Sequence, residues 1–323
     1  MKDNMLDVVI IGAGPIGLAC GIEAEKRQLS YCMIEKGCLV NSIYHFPVNM
    51  TFFSTSERLE IGNVPFISHG DKPTRSEALE YYRRVKQTWN LKVNTYEPVT
   101  RIHRQKDHYK ITSEKNEYCA RFVVIATGYY DNPNLLDIPG ENREKVSHYF
   151  KEAHPFVDQR VIVVGGGNSA VDVALECYRR GARVTLVVQE STLKASVKYW
   201  VKPDIENRIK EGSISAYFNA SLKEIREKQV DIERKNQLIT IENDFVFAMT
   251  GYRPDYPFLK RVGIDFNKDD EALPCFDPET FETNLKGIYL AGVVCGGMNT
   301  SKWFIENARE HPQKIFDHIT VNR

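Results

Sequence analysis

The chain has 323 residues, 42% of them hydrophobic, and its 43 lysines plus arginines are balanced by 43 aspartates plus glutamates. This length can bury a sizeable core and suggests two domains, and the neutral balance argues against a nucleic-acid-binding or strongly membrane-directed protein. No apolar run is long enough to span a bilayer, no N-terminal stretch is laid out like a secretory signal, and the seven scattered cysteines suggest neither a disulfide framework nor a zinc site, so a cytoplasmic enzyme is expected.

In chain order, an apolar strand from Val8 to Ile11 runs into Gly12, Gly14 and Gly17 and then into a helix over about 16–28. This is the pattern of a dinucleotide-binding start. Gly12 allows the tight turn, Gly14 lets backbone approach a pyrophosphate, and Gly17 lets helix and strand pack closely. The helix N-terminus offers free N–H groups and the positive end of a dipole to the phosphates. A second strand, 31–34, ends at Glu35, where a carboxylate would grip a ribose hydroxyl.

Residues 37–73 form a long irregular region rich in aromatics, suited to loops and short strands and a candidate functional loop. Ser76 is a candidate cap for a helix over 77–89, on which Leu79, Tyr82, Val85 and Trp89 recur at helical spacing. Strands are expected over 92–96, 99–105, 109–113 and 117–125, the last delivered into Ala126, Thr127 and Gly128.

The first turn then repeats. Gly165, Gly167 and Ala170 reproduce the spacing of Gly12, Gly14 and Gly17, after an apolar strand and before a helix that Gly181 closes. Two such turns imply two dinucleotides. Val188 aligns with Glu35, so the second site lacks the carboxylate that clasps a free 2′-hydroxyl. Gln189, Ser191, Thr192 and Lys194 are donors for a 2′-phosphate there, whereas Glu190 opposes it. NADPH is preferred over NADH on this ground, with NADH retained. Farther on, a helix over 205–211 stops at Gly212, and a strand from Phe245 runs into Thr250 and Gly251, as the first repeat ran into Thr127 and Gly128. A last strand reaches Gly292 and leads to a helix from about Ser301, with Asn299, Thr300 or Ser301 as its cap. Pro312 should bend or restart that helix near 310–311.

Two glycine turns, two strand ends at Thr-Gly and the segment 287–292 together resemble the two-dinucleotide flavoprotein reductases of thioredoxin-reductase type, over essentially the whole chain. Within that group, segments 51–62, 126–131, 148–155, 243–252 and 304–307 look like the bacillithiol disulfide reductase family. The resemblance implies an α/β fold with two Rossmann-like dinucleotide-binding domains of three-layer ββα type. It implies a discontinuous FAD domain, 1–130 and 253–323, and an NADPH domain, 131–252. FAD contacts are implied at Gly12, Gly14, Pro15, Ile16, Glu35, Lys36, Asn41, Gly128 and Gly292, with Thr51, Val99 and Thr300 as further cofactor candidates. NADPH contacts are implied at Gly165, Gly167, Asn168 and Ser169, joined by Gln189 and Lys194. The positive end of the helix after Thr300 would then stabilise charge on the pyrimidine side of a reduced flavin.

Two positions depart from the relatives. Val293 stands where many of the wider group have an aspartate, although the nearer family is apolar there too. Ile16 stands where the nearer family commonly has a cysteine proposed to be catalytic. Cys20, Cys32, Cys38, Cys119, Cys177, Cys275 and Cys295 include no pair separated by two residues, which excludes thioredoxin reduction through an internal dithiol of that kind. Cys295 is kept as a candidate flavin-side thiol, and most of the cysteines are read as small buried core residues. His154 and Phe150 partly match a flavin monooxygenase signature, and His154 is read as a hydrogen-bonded structural residue near the domain junction.

The function expected is an FAD-containing, NADPH-dependent reductase of a low-molecular-weight thiol disulfide, bacillithiol disulfide. The alternatives are a thioredoxin-reductase-like ferredoxin or flavodoxin–NADP reductase, a flavin-dependent monooxygenase, and a redox-sensing binding module without turnover. The partner expected is a small-molecule disulfide or a redox-protein acceptor, with no metal, nucleic acid or membrane, and the chain is expected to form a homo-oligomer.

Overall fold

The computed structural model describes residues 5–268 and 272–323. The chain divides into two units, the first of Met1–His45, Asn49–Asn132 and Tyr252–Arg323, the second of Phe46–Val48 and Pro133–Gly251. Among the described residues no helix is long and apolar enough to cross a membrane.

The first unit begins with β1 (Met5–Ile11), α1 (Pro15–Lys26) and β2 (Tyr31–Ile34). Val8 to Ile11 are all buried, as a continuous apolar run on a central parallel strand must be. Then come the single turns α2 (Asn41–Tyr44) and α3 (Ser56–Leu59), helix α4 (Arg75–Thr88), and strands β3 (Val93–Asn94), β4 (Val99–Arg104), β5 (Tyr109–Ser113) and β6 (Glu117–Ile125). The sheet order is β3-β2-β1-β6-β5-β4. β6 changes partner along its length: Glu117 to Ala120 pair antiparallel with β5, while Val123 to Ile125 carry parallel pairing on the same side. One strand thus joins a parallel dinucleotide sheet to an antiparallel meander.

Two expectations for this stretch are corrected. Residues 37–73 contain short helices and one isolated bridge, Thr51 with Thr74, in place of short strands. Its aromatics fold the segment onto α4: Phe66 stacks on Tyr81 at 4.1 Å, and the Tyr82 hydroxyl donates to the Leu59 carbonyl. The cap of α4 is Thr74 instead of Ser76. Thr74 Oγ1 accepts the Glu77 N–H and the Glu77 carboxylate accepts the Thr74 N–H, a reciprocal box that Ser76, one residue before Glu77, cannot form.

The second unit contains β7 (Val146–Ser147), β8 (Arg160–Val164), α5 (Asn168–Arg179), β9 (Arg183–Val188), α6 (Lys202–Lys210), β10 (Ser215–Phe218), β11 (Ala220–Ile225), β12 (Gln229–Arg234), β13 (Gln237–Glu242) and β14 (Phe245–Ala248). Its parallel sheet runs β10-β9-β8-β14-β7, with β11-β12-β13 as a separate antiparallel sheet. Alternation along β8 makes the layers. Val161 and Val163 join a core with Val171, Ala174 and Leu175 of α5, while Ile162 and Val164 join one with Leu222, Val230 and Ile232 of the antiparallel sheet. The result is helix, parallel sheet, antiparallel sheet, the three-layer ββα arrangement. Gly181, at φ +89°, closes α5 through bonds from its own N–H to the Tyr178 carbonyl and from the Ala182 N–H to the Cys177 carbonyl.

The chain re-enters the first unit through α7 (Tyr256–Val262) and β15 (Ile288–Leu290), which supplies the parallel partner of β6. A 3-10 turn (Gly292–Gly296), the single turn α8 (Ile305–Ala308) and α9 (His311–Val321) complete it. The helix expected from Ser301 does not form. Residues 297–304 are turns and irregular chain in which the Thr300 N–H donates to Met298 and the Lys302 N–H to Asn299, so none of Asn299, Thr300 and Ser301 is a helix cap. With only the four residues of α8 behind it, the segment cannot supply the dipole expected there. The long helix starts at His311, and Pro312 occupies its first turn.

Candidate active site

At the carboxyl ends of β1, β2, β6 and β15, four segments of the first unit meet. Gly12 has φ +103°, and a Cβ on it would lie 2.5 Å from the Ala126 carbonyl oxygen; a Cβ on Gly17 would lie 2.0 Å from that of Gly12. Those two glycines are required by backbone packing alone. Gly14 differs, because nothing lies within 4 Å of where its Cβ would be, and it precedes α1 with no side-chain cap on the helix. Open space in front of an uncapped N-terminus is what a pyrophosphate needs. Pro15 takes the first helical position, and Ile16 beside it is buried.

Glu35 closes one side of this turn. One carboxylate oxygen accepts the Ala13 N–H at 2.8 Å and the other the Gly37 N–H at 2.9 Å, and the side chain is 6% exposed. Burial raises its pKa, against the two amide bonds that lower it. Each oxygen retains acceptor capacity for a ribose hydroxyl. The following turn is folded back on the first: the Val40 N–H donates to the Ala13 carbonyl and Asn41 Oδ1 accepts the Cys38 N–H. Lys36 pairs with Asp131 at 2.9 Å. The Thr127 hydroxyl, next to Gly12, is buried without a partner, and such an orphaned polar atom fits a crevice built for a polar ligand.

Gly128 and Gly292 adopt left-handed backbone, φ +71° and +83°. A Cβ on Gly292 would lie 3.2 Å from the Ile16 Cβ, and one on Gly128 3.9 Å from Val293. Thus Gly12, Gly14, Pro15, Ile16, Glu35, Asn41, Gly128 and Gly292 belong to one region. Val99 opens β4 two residues after Glu97, whose N–H donates to the Glu35 carbonyl. Thr51 is exposed and pairs with Thr74 at the start of α4, away from the glycine turn in its bonding, and Thr300 accepts from the Tyr129 hydroxyl through its carbonyl.

The second unit repeats the design. A Cβ on Gly165 (φ +128°) would lie 2.5 Å from the Met249 carbonyl oxygen, whereas one on Gly167 would meet only the Lys194 Cδ at 3.9 Å. Lys194 lies over the turn, with its N–H donating to the Gly166 carbonyl and its ammonium 3.6 Å from Glu190. The Asn168 side chain is committed to structure: it donates to the Ser196 carbonyl and accepts the Lys198 N–H, clamping the loop after β9 onto α5. Ser169 and Gln189 are exposed. Val188, fully buried against Gly166, takes the sequence position of Glu35, while a Glu190 carboxylate oxygen lies 3.6 Å from where a Cβ on Gly166 would be.

Cys295 is not a flavin-side thiol. It is wholly buried, as is Cys20, and burial pushes both thiols far above their ordinary pKa, leaving them protonated and out of reach. His154 is exposed at the start of a 3-10 turn (His154–Phe156), and it is His148 that meets a carboxylate, that of Glu141 at 3.2 Å. Sequence reasoning missed His311, which is buried and accepts the Gly292 N–H. Its position just before Pro312 was its only local signal.

The description "Pyridine nucleotide-disulphide oxidoreductase" matches residues 9–292. The chain is 45% identical over 313 residues to the bacilliredoxin reductase Bdr of Bacillus subtilis, covering 96% of each. It also superposes on the bacillithiol disulfide reductases Bdr (YpdA) of Staphylococcus aureus and Bacillus cereus with TM-scores of 0.96 and 0.97, at 42% identity, covering 99% of this chain and 99% and 100% of theirs. On a match that spans both glycine turns and a relative aligned over nearly its whole length, the protein belongs to the pyridine nucleotide-disulphide oxidoreductase family and is a flavoprotein oxidoreductase.

Proposed function

We propose that the first unit holds FAD, the second holds NADPH, and the protein reduces a low-molecular-weight thiol disulfide, bacillithiol disulfide, in the cytoplasm. The observation that carries the reading is the asymmetry of the two turns: Glu35 spans the first, while Val188 and Lys194 flank the second. The likeness to Bdr supports the acceptor. The bound cofactors would supply hydride and electron transfer. The chain's own residues bind and orient: Gly14 admits the pyrophosphate to the α1 terminus, Glu35 accepts from the ribose, and Ile16 presents an apolar wall where Gly292 approaches.

A ferredoxin or flavodoxin reductase is the second reading, favoured by one observation. No thiol stands at position 16, and Cys20 and Cys295 are buried, whereas single-electron transfer to a protein needs no thiol. Anaerobic reduction with NADPH followed by a panel of acceptors tests both. Reoxidation by bacillithiol disulfide, slow without a thiol at position 16, supports the first reading, and reoxidation only by ferredoxin or flavodoxin replaces it with the second.

A further inference from the structure

His311 opens α9 with 2% of its surface exposed, and its Nδ1 accepts the Gly292 N–H at 3.2 Å. Gly292 starts the 3-10 turn, so its N–H has no acceptor within that turn and must find one elsewhere. Because Nδ1 accepts, the ring proton resides on Nε2 and the imidazole is neutral. Phe281 stacks on the ring at 4.1 Å and Trp303 meets it edge-to-face at 4.4 Å, which fixes the ring plane and hence the direction of the Nδ1 lone pair. On its other side Gly292 abuts Ile16, at the start of α1. An unbroken path of packing therefore runs from the imidazole through Gly292 and Ile16 to the first glycine turn.

We propose that His311 is the positioning residue of the flavin-binding crevice: its unprotonated Nδ1 holds the Gly292 N–H inward and keeps Gly292 seated against Ile16. This rests on the reading of the crevice as the FAD site. A side chain of similar bulk that lacks this acceptor leaves the N–H buried and unpaired, and the turn relieves that cost by rotating its first peptide and moving the wall that Ile16 shares. Placement of the acceptor is decisive. Asparagine carries Oδ1 two bonds from Cβ, where histidine carries Nδ1. Glutamine carries its amide one bond farther, toward the position of Nε2.

The test titrates the full chain, stripped of flavin, with FAD by flavin fluorescence, for wild type, His311→Asn, His311→Gln and His311→Leu, and records the visible spectrum of the bound flavin. His311→Asn should bind within about threefold of wild type with an unchanged spectrum, while His311→Gln and His311→Leu bind about tenfold more weakly or worse, with altered vibrational structure of the visible band. Equal binding by the Asn and Leu proteins overturns the proposal. Should the Leu protein lack native circular dichroism, the Asn and Gln pair decides, and equal affinities overturn it. A folded wild-type protein that takes up no FAD overturns both the FAD reading and this role, an outcome distinct from variants that bind alike.

Discussion

Glu35 reaches across the first glycine turn to accept the Ala13 N–H at 2.8 Å, so the residue proposed to face the ribose also ties the two strand ends together. Replacing Glu35 by Ala should therefore have two effects. FAD retention should fall by about 1–3 kcal/mol for the lost charge-assisted bonds, and the apoprotein should be destabilised by a similar order because two amides lose their acceptor. Flavin content after dialysis and urea midpoints of the apoprotein measure the two separately. Unchanged flavin affinity with reduced stability would leave Glu35 a purely structural residue.

Lys194 and Glu190 make the coenzyme preference of the second unit testable. Both are about half exposed and 3.6 Å apart, so their pairing is weak and a 2′-phosphate can compete for the ammonium. Lys194→Ala should raise KM for NADPH several-fold while barely changing that for NADH. Glu190→Gln should do the reverse and lower KM for NADPH, by releasing Lys194 and removing a negative charge. Steady-state flavin reduction with each coenzyme decides, and equal effects on both coenzymes remove Lys194 from the site.

Local pattern made much of this legible. β2, β6 and β9 lie where the apolar runs placed them, since a strand buried on a parallel sheet announces itself by composition, β5 shows in the alternation of Tyr109, Ile111 and Ser113, and Gly12 and Gly165 announce the turns by backbone necessity. Most of the errors arose where other parts of the chain decide, but the cap of α4 was a local matter. Ser76 and Thr74 are equivalent by residue type, and only Glu77 three residues after Thr74 separates them. Residues 299–301 look like a helix start, but irregular chain runs on to Phe304, and His311, where the long helix begins, is packed by Trp303 and by Phe281 from far earlier in the chain. Cys295 follows a glycine turn and reads as accessible, yet its depth depends on what covers it.

His311 also gives the apoprotein a defined pH response. Burial, aided by Lys314, lowers its pKa to about 4, below the 6.5 of a free imidazole. The unfolded chain therefore takes up the proton first as pH falls. The stabilisation is complete above about 6.5, declines through that window and is gone below about 4, with a ceiling of about 3 kcal/mol. His311→Asn retains the acceptor without the titration, so its urea midpoints between pH 7 and pH 4.5 should fall less steeply than those of wild type. Parallel slopes would mean that the ring titrates alike in both states.

Ile16 controls the last prediction, because it occupies the place at which the resemblance to the bacillithiol disulfide reductase family leads one to expect a thiol and it is packed against Gly292. Cleaving a disulfide through a mixed disulfide requires a thiolate, and neither isoleucine nor the buried, protonated Cys20 and Cys295 can provide one. Wild type reduced beforehand with NADPH should accordingly be reoxidised slowly by bacillithiol disulfide under anaerobic conditions. Ile16→Cys should speed that step about tenfold or more. A smaller side chain at the α1 terminus also loosens the Gly292 contact, so Ile16→Ser serves as the control of similar size without a thiol. Acceleration by Cys and not by Ser assigns the effect to sulfur. Rapid reoxidation of wild type, unaffected by either change, would show instead that the acceptor is reduced without a thiol at this position.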